Sequence, residues 1–281
     1  MSSPAALLAV FAHPDDEALR CGGTLALYAA RGAQVHLICL TRGEAGRNTD
    51  PELGDIDMPT QREQELRNAC AALGIHPPIF LDYHDSGRGD RLRRDDPLAT
   101  INADPGQMER QILEVIETTR PQIMVTFDPH GIYGHPDHLT AHRAATAAYA
   151  SSGFRQVRVQ RLFYTVQSRE EMLRLQSGRS LGVLKGLDPE TYAVCDSTIA
   201  ARIDIRVHAA RKRAALFSHR TQTGPLSTLG TLSNEQLSPL MATETFSLGG
   251  IRSPVLQYPM DDLFAGLDVE FSPPTLQEQS A

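Results

Sequence analysis

The chain lacks tryptophan, has only four cysteines, carries no surplus of basic residues and contains no apolar run long enough to cross a bilayer. Each shortage removes a class of function. Cys21, Cys39, Cys70 and Cys195 stand far apart with no C-x-x-C pair. That argues against a zinc ribbon or a disulfide framework and suits reduced thiols in a cytoplasm. The 27 basic residues are outnumbered by 34 acidic ones, giving a net charge of −7, whereas an electrostatic nucleic-acid binder needs a basic face. Two local basic runs, GRGDRLRRDD (87–96) and RVHAARKR (206–213), are balanced by acids or spread along a helix. Both read as solvated faces. The opening MSSPAALLAVFAHP has one short apolar run and no basic segment before it, so it predicts a buried strand and not a signal peptide or membrane span. A cytoplasmic, soluble protein with no membrane or nucleic-acid partner is the expectation.

What is present is a regular alternation. With 281 residues, 41% of them apolar, the chain can bury a substantial core. Strand-length runs at 7–12, 34–41, 78–83, 122–127 and 161–166 alternate with helical patterns at about 17–31, 60–74, 106–119 and 136–151. The 60–74 segment offers Thr60 as N-cap, Glu63 three positions on and Gly74 at its close. Apolar strands separated by helices predict an α/β fold with a doubly wound, mostly parallel Rossmann-like sheet and helices on both faces. After residue 167 the order weakens to a strand at 191–195, a long helix at about 200–218 and irregular sequence beyond. The chain reads as one domain, with a core over about 5–222 and an irregular C-terminal extension over about 223–281.

Ligands of such sheets bind beyond the carboxyl ends of the strands. Four polar clusters fall there: HPDDE after the first strand, TRGEAG (41–46) after the second, YHDSG (83–87) after the third and DPHGIYGHPDH (128–138) after the fourth. A catalytic zinc takes three imidazole or carboxylate ligands and leaves a fourth position for water. His13 at a strand end, Asp16 three residues on, and His138 at the start of a helix opened by Pro136 form such a set. Simpler readings compete. Asp15, Asp16 and Glu17 suit the positive end of a helix dipole, Asp15 could be an N-cap, and His135 and His138 could be surface residues. Two copies of H-P-D at two strand ends favour the metal. Other ligand choices remain, namely His138 with His142 on one helix, or His130 drawn in from its loop. Arg62 sits in a first helical turn, against the dipole, which suggests recruitment by a ligand or an i,i+3 pair with Glu65. No G-x-G-x-x-G follows a strand, and the acids after strand one would repel a pyrophosphate, so a nucleotide-binding module is disfavoured.

AHPDDE followed by GGTL, then TRGEAG, Arg62-x-x-Glu65 and GHPDH, resemble the LmbE-like (PIG-L) deacetylases, and HRTQ (219–222) is similar to that family's C-terminal signature. The likeness spans about residues 5–222. It implies zinc-dependent removal of an N-acetyl group from a small-molecule glucosaminyl conjugate of the low-molecular-weight thiol precursor type. His13, Asp16 and His138 would hold zinc, or iron(II) in the cell. Asp15 would be the general base, His135 the oxyanion stabiliser oriented and kept protonated by Asp137, and Tyr133 a contact to the substrate carbonyl. Arg62 and Asp85, and after them Glu44, would meet substrate hydroxyls, with His219 and Gln222 near the site. A rival within the same chemistry is an amidase cleaving larger acyl groups from thiol S-conjugates; one from another class is a non-catalytic metal or sugar binder. A homo-oligomer is compatible with all of these.

Overall fold

The computed structural model describes residues 2–177 and 187–272. Seven strands form one sheet. They are β1 (Ala6–Phe11), β2 (Gln34–Cys39), β3 (Ile79–Phe80), β4 (Ile123–Phe127), β5 (Arg161–Val166), β6 (Ala201–Asp204) and β7 (Thr243–Ile251), in the order β3-β2-β1-β4-β5-β7-β6. The first five run parallel, and β7 is antiparallel to both β5 and β6. Every residue of β1, β4 and β5 is buried, as strands covered on both faces require. Helices α1 (Asp16–Ala30), α2 (Met58–Leu73) and α5 (Ala209–Ser218) pack together, while α3 (Pro105–Thr119) packs with α4 (Pro136–Ser152). The doubly wound, mostly parallel expectation holds.

Strands β1 and β4 are neighbours, with Leu7 opposite Ile123 and Ala9 opposite Val125, although the chain visits β2 and β3 between them. The order reverses at that pair, so their carboxyl ends flank a topological switch point where a crevice opens. The loops carrying His13 and His138 leave from those two ends.

Several boundaries differ from the sequence reading, each for a local reason. The third strand keeps only Ile79–Phe80 because Asp82, at φ 61, turns the chain away. Asp57, not Thr60, caps α2, accepting the Thr60 N–H, and Glu63 pairs with Arg42 and Arg67 instead of closing a capping box. Gly74 closes the helix in the left-handed region as expected. Residues 191–195 form no strand; Pro189–Tyr192 is a helical turn capped by Asp188, and Val194 makes one isolated bridge to Ser168. The long helix expected at 200–218 is a strand followed by a helix, because Ala201–Asp204 pairs along Thr243–Ile251.

The largest difference lies in the extension, which supplies β7 to the sheet. That strand also repairs a kink. Helix α1 breaks at Cys21, φ −149 and ψ 19, stranding the N–H groups of Gly23 and Thr24. Glu244 of β7 accepts both, at 2.9 and 2.7 Å, and Lys212 of α5 balances its charge at 2.7 Å. A Cβ on Gly23 would lie 2.5 Å from Ile205, so GGTL marks a close helix contact. Lys212 comes from a run expected to be solvated, yet it is buried. Further along, the buried Arg161 donates to the carbonyls of Pro254, Leu263 and Ala265, each at 2.7 Å. Residues 273–281, the end of the expected extension, lie outside the described residues.

Candidate active site

His13 leaves the end of β1, and Asp16 opens α1 three residues on. Across the switch point, His135 caps α4 and His138 occupies its first turn, with Pro136 at the helix start as its fixed φ favours. Three side chains then converge. Nδ1 of His13 is 3.3 Å from Nε2 of His138 and 3.5 Å from Oδ2 of Asp16, while Nε2 of His138 is 3.4 Å from Oδ1 of Asp16. All three residues are buried. Two donors each held about 2.0–2.1 Å from a tetrahedral ion stand about 3.3–3.4 Å apart; the set has the span of a metal site.

The outer partners fix which nitrogen each ring offers. The other nitrogen of His13, Nε2, is 3.0 Å from the Asp137 carboxylate and 3.5 Å from Asp85, so its proton belongs there. Nδ1 of His138 is 3.1 Å from the Gly131 carbonyl, which again fixes the proton and turns the free lone pair inward. Burial, partly offset by Asp16, lowers the His138 pKa to about 4 and keeps the ring neutral. Burial also works against charge on His13, yet Asp85, Asp137 and Asp16 outweigh it and raise its pKa well above an ordinary histidine's. The acids around His13 thus favour positive charge in this pocket, and Asp16 supplies a carboxylate where His13 Nδ1 and His138 Nε2 meet. A divalent cation fits that demand.

His135 stands beside this set, its ring offering a nitrogen within 4.8 Å of those of His13 and His138. The sequence alternatives fall away. Nδ1 of His142 is 2.9 Å from the Phe127 carbonyl, and His130, half exposed, leans on Asp128 at 3.5 Å.

Asp15 occupies the N-cap position of α1, its carbonyl accepting the Leu19 N–H at 3.1 Å, but its side chain makes no capping hydrogen bond. Its backbone sits at φ 122, a region costly for a residue with a Cβ. Its carboxylate faces the cavity 3.3 Å from Arg62. Burial raises its pKa to about 6 against the pull of Arg62. Arg62 is buried and committed to protein. It donates to Gly43 at 3.0 Å and to the Pro14 carbonyl, and it makes no pair with Glu65, whose carboxylate holds Thr221. It reaches the cavity wall but acts first on Asp15.

Two expected roles change. The Asp137 carboxylate binds His13, the Ser86 N–H and Thr100 and makes no hydrogen bond to the His135 ring; only the Asp137 backbone N–H reaches that ring, at Nδ1, 3.2 Å. Nδ1 of His135 therefore accepts, and its proton resides on Nε2. Burial beside His13 and His138 lowers its pKa to about 3. His135 is a neutral N–H donor, not the cation expected. Glu44 does not line the cavity; it braces Asp85 and Arg42 by accepting their backbone N–H groups. Asp85 lines the cavity but already accepts from Gly87 and Ala45. Burial works against its charge, yet His13 outweighs burial and holds its carboxyl well below the usual range. Tyr133 lines the cavity with its ring centroid 5.1 Å from that of His138, and burial lifts its pKa to about 12. Its hydroxyl stays protonated.

The cavity holds about 330 Å³. Gln222 lines it, whereas His219 lies behind it, its Nε2 2.8 Å from Glu17. The other Glu17 oxygen accepts the Asp15 N–H at 3.0 Å. Sequence reasoning leaves Glu17 to the helix start. Its signal is its place next to two aspartates, on the buried side of a turn that needs an acceptor.

The family described as GlcNAc-PI de-N-acetylase (PIG-L) matches residues 8–149. The chain is 38% identical over 289 residues to the 1D-myo-inositol 2-acetamido-2-deoxy-alpha-D-glucopyranoside deacetylase of Actinosynnema mirum, covering 95% of this chain and 99% of that one. A conserved protein of Thermus thermophilus superposes with a TM-score of 0.57 at 25% identity, over 93% and 100% of the two chains. The 4-carboxy-2-hydroxymuconate hydratase of Pseudomonas putida superposes with a TM-score of 0.59 at 19% identity, over 90% and 99%. That pairing shows the fold alone, and one fold carries many reactions. Sequence likeness across nearly the whole length is the stronger tie: the chain belongs to the PIG-L (GlcNAc-PI de-N-acetylase) family.

Proposed function

We propose that the protein is a zinc-dependent deacetylase that removes the acetyl group from an N-acetylglucosaminyl conjugate of the low-molecular-weight thiol precursor type. The convergence of His13 Nδ1, His138 Nε2 and Asp16 at 3.3–3.5 Å, beside an Asp15 whose side chain makes no capping hydrogen bond, carries this reading. The curated relatives, named for deacetylation of an inositol glucosaminide, support the substrate class. A bound cation would polarise the amide carbonyl and lower the pKa of a water to about 7. Two imidazoles and a carboxylate also accommodate iron(II). We further read the chain as one domain, since β7 of the extension lies inside the sheet and Glu244 is tied to α1.

The chain's own residues do the rest. Asp15, near pKa 6, is ionised at neutral pH and takes the proton of the attacking water at its carboxylate. The same carboxyl then returns a proton to the departing amine. Nε2–H of His135 and the hydroxyl of Tyr133 donate to the carbonyl oxygen as negative charge grows on it. Neither donor needs to ionise.

Mass-spectrometric detection of free amine tests the reading, using a panel of N-acetylglucosaminyl conjugates and bulkier N-acyl analogues. Metal-loaded protein is expected to release amine from the acetyl compounds, and chelator-treated protein is not. Release from the bulky analogues alone would favour the amidase, and none from any would contradict hydrolysis.

A further inference from the structure

The cavity mouth carries charge that the proposed chemistry does not use. Arg47 comes from the loop after β2, and Arg88 and Arg91 from the loop after β3; all three line the cavity and are exposed. None has an acidic partner among the described residues. The acids that share the cavity are engaged deeper in: Asp15 with Arg62, Asp16 with His13 and His138, and Asp85 with His13 and two backbone N–H groups. Asp90 lies between Arg88 and Arg91 in the chain but does not line the cavity and pairs with neither.

Two contacts fix this rim. Arg91 donates through Nη1 to the carbonyl of Ala45, two residues before Arg47, which ties the two loops together. The Arg88 guanidinium stands 5.5 Å from the centroid of Tyr133, which itself faces the reaction centre. Three like charges gathered at one rim repel unless an anion joins them. Guanidinium forks match the oxygens of phosphate and carboxylate two at a time. The glucosaminide named for the curated relatives offers hydroxyls but no charge to match such a rim.

We propose that Arg47, Arg88 and Arg91 form an anion subsite, and that the preferred substrate bears a phosphate or carboxylate on its aglycone. This rests on the deacetylase reading for the identity of the sugar, not for the existence of the subsite. The test uses matched N-acetylglucosaminides with a neutral aglycone, with the same aglycone phosphorylated, and with it carboxylated. Both kcat/KM and equilibrium binding by calorimetry are measured on metal-loaded protein. The charged members are expected to gain about ten-fold over the neutral one in both readouts. That ratio is expected to shrink as salt rises and to fall toward one in the R47Q/R88Q variant. Because the ratio is read within one variant, any general effect of the substitutions on Tyr133 cancels.

Equal binding of charged and neutral members would overturn the subsite, even if all are deacetylated. So would a preference that salt and R47Q/R88Q leave intact. Tighter binding of the charged members without any amine release would keep the subsite and reject the deacetylase. A larger gain for phosphate than for carboxylate, or the reverse, identifies which anion the substrate bears.

Discussion

Nε2 of His219 lies 2.8 Å from Oε1 of Glu17, a pair drawn from distant parts of the chain and closed to solvent. Through its second oxygen Glu17 holds the backbone N–H of Asp15, the residue at φ 122. Such a backbone persists only where neighbours over-determine it, and His219 and Glu17 are those neighbours. They are positioning residues for Asp15.

Removing that support is expected to misplace the proposed base without touching the proposed metal ligands. Glu17→Ala is expected to lower kcat about 100-fold, with KM and bound metal close to wild type. His219→Gln keeps an N–H donor at a similar reach and should retain more activity than His219→Leu. Steady-state kinetics alongside metal analysis check both. Loss of metal in step with kcat would show that the pair supports the fold alone.

Asp15 itself is expected to matter to the chemical step. Asp15→Asn should reduce kcat by about 10²–10⁴ while leaving metal affinity unchanged, since Asp16 and not Asp15 belongs to the converging set. Metal titration of the variant separates the two aspartates. A variant that binds metal poorly would merge their roles.

Behind the site, Lys212 and Glu244 form a buried pair at 2.7 Å. Breaking it by Lys212→Met should cost about 3–5 kcal/mol. Glu244→Met should cost more, because it strands the Gly23 and Thr24 N–H groups as well as the ammonium. Denaturant unfolding of the two variants gives the order. The reverse order would mean that the kink in α1 does not depend on β7.

Much of this is legible in the sequence, and the reasons differ by region. Fully buried parallel strands such as ALLAVF and RLFYTV announce themselves as apolar runs, and a helix opened by proline shows its start. The convergence of His13, Asp16 and His138 is legible because two H-P-D triplets follow two such strands. Strand β7, TETFSLGGI, is not, since it is only partly buried and takes its pairing from β5 and from β6. The run RVHAARKR looks solvated because the acid that neutralises Lys212 lies in that unseen strand. The proton on His135 is misassigned for a similar reason: the sequence places Asp137 beside it, but in space that carboxylate turns to His13.

A pH effect on stability is expected far from the catalytic rim. His36 stacks on His76, with ring centroids 4.3 Å apart. Burial, and then His76, lowers the His36 pKa to about 4 from an ordinary 6.5. The unfolded chain therefore binds a proton in this window that the folded chain refuses. Stability should decline as pH falls from about 6.5 toward about 4 and recover nothing below. The His36→Gln variant should show a shallower decline than wild type in thermal unfolding across that range; parallel curves would contradict the assignment.

The central claim concerns where a divalent cation sits, and anomalous diffraction at the zinc edge on metal-soaked crystals measures it directly. The expected result is one strong peak bonded to His13 Nδ1, His138 Nε2 and the Asp16 carboxylate, lost in His138→Ala. A peak coordinated by His135 in place of Asp16, or no peak within reach of His13, would contradict the account.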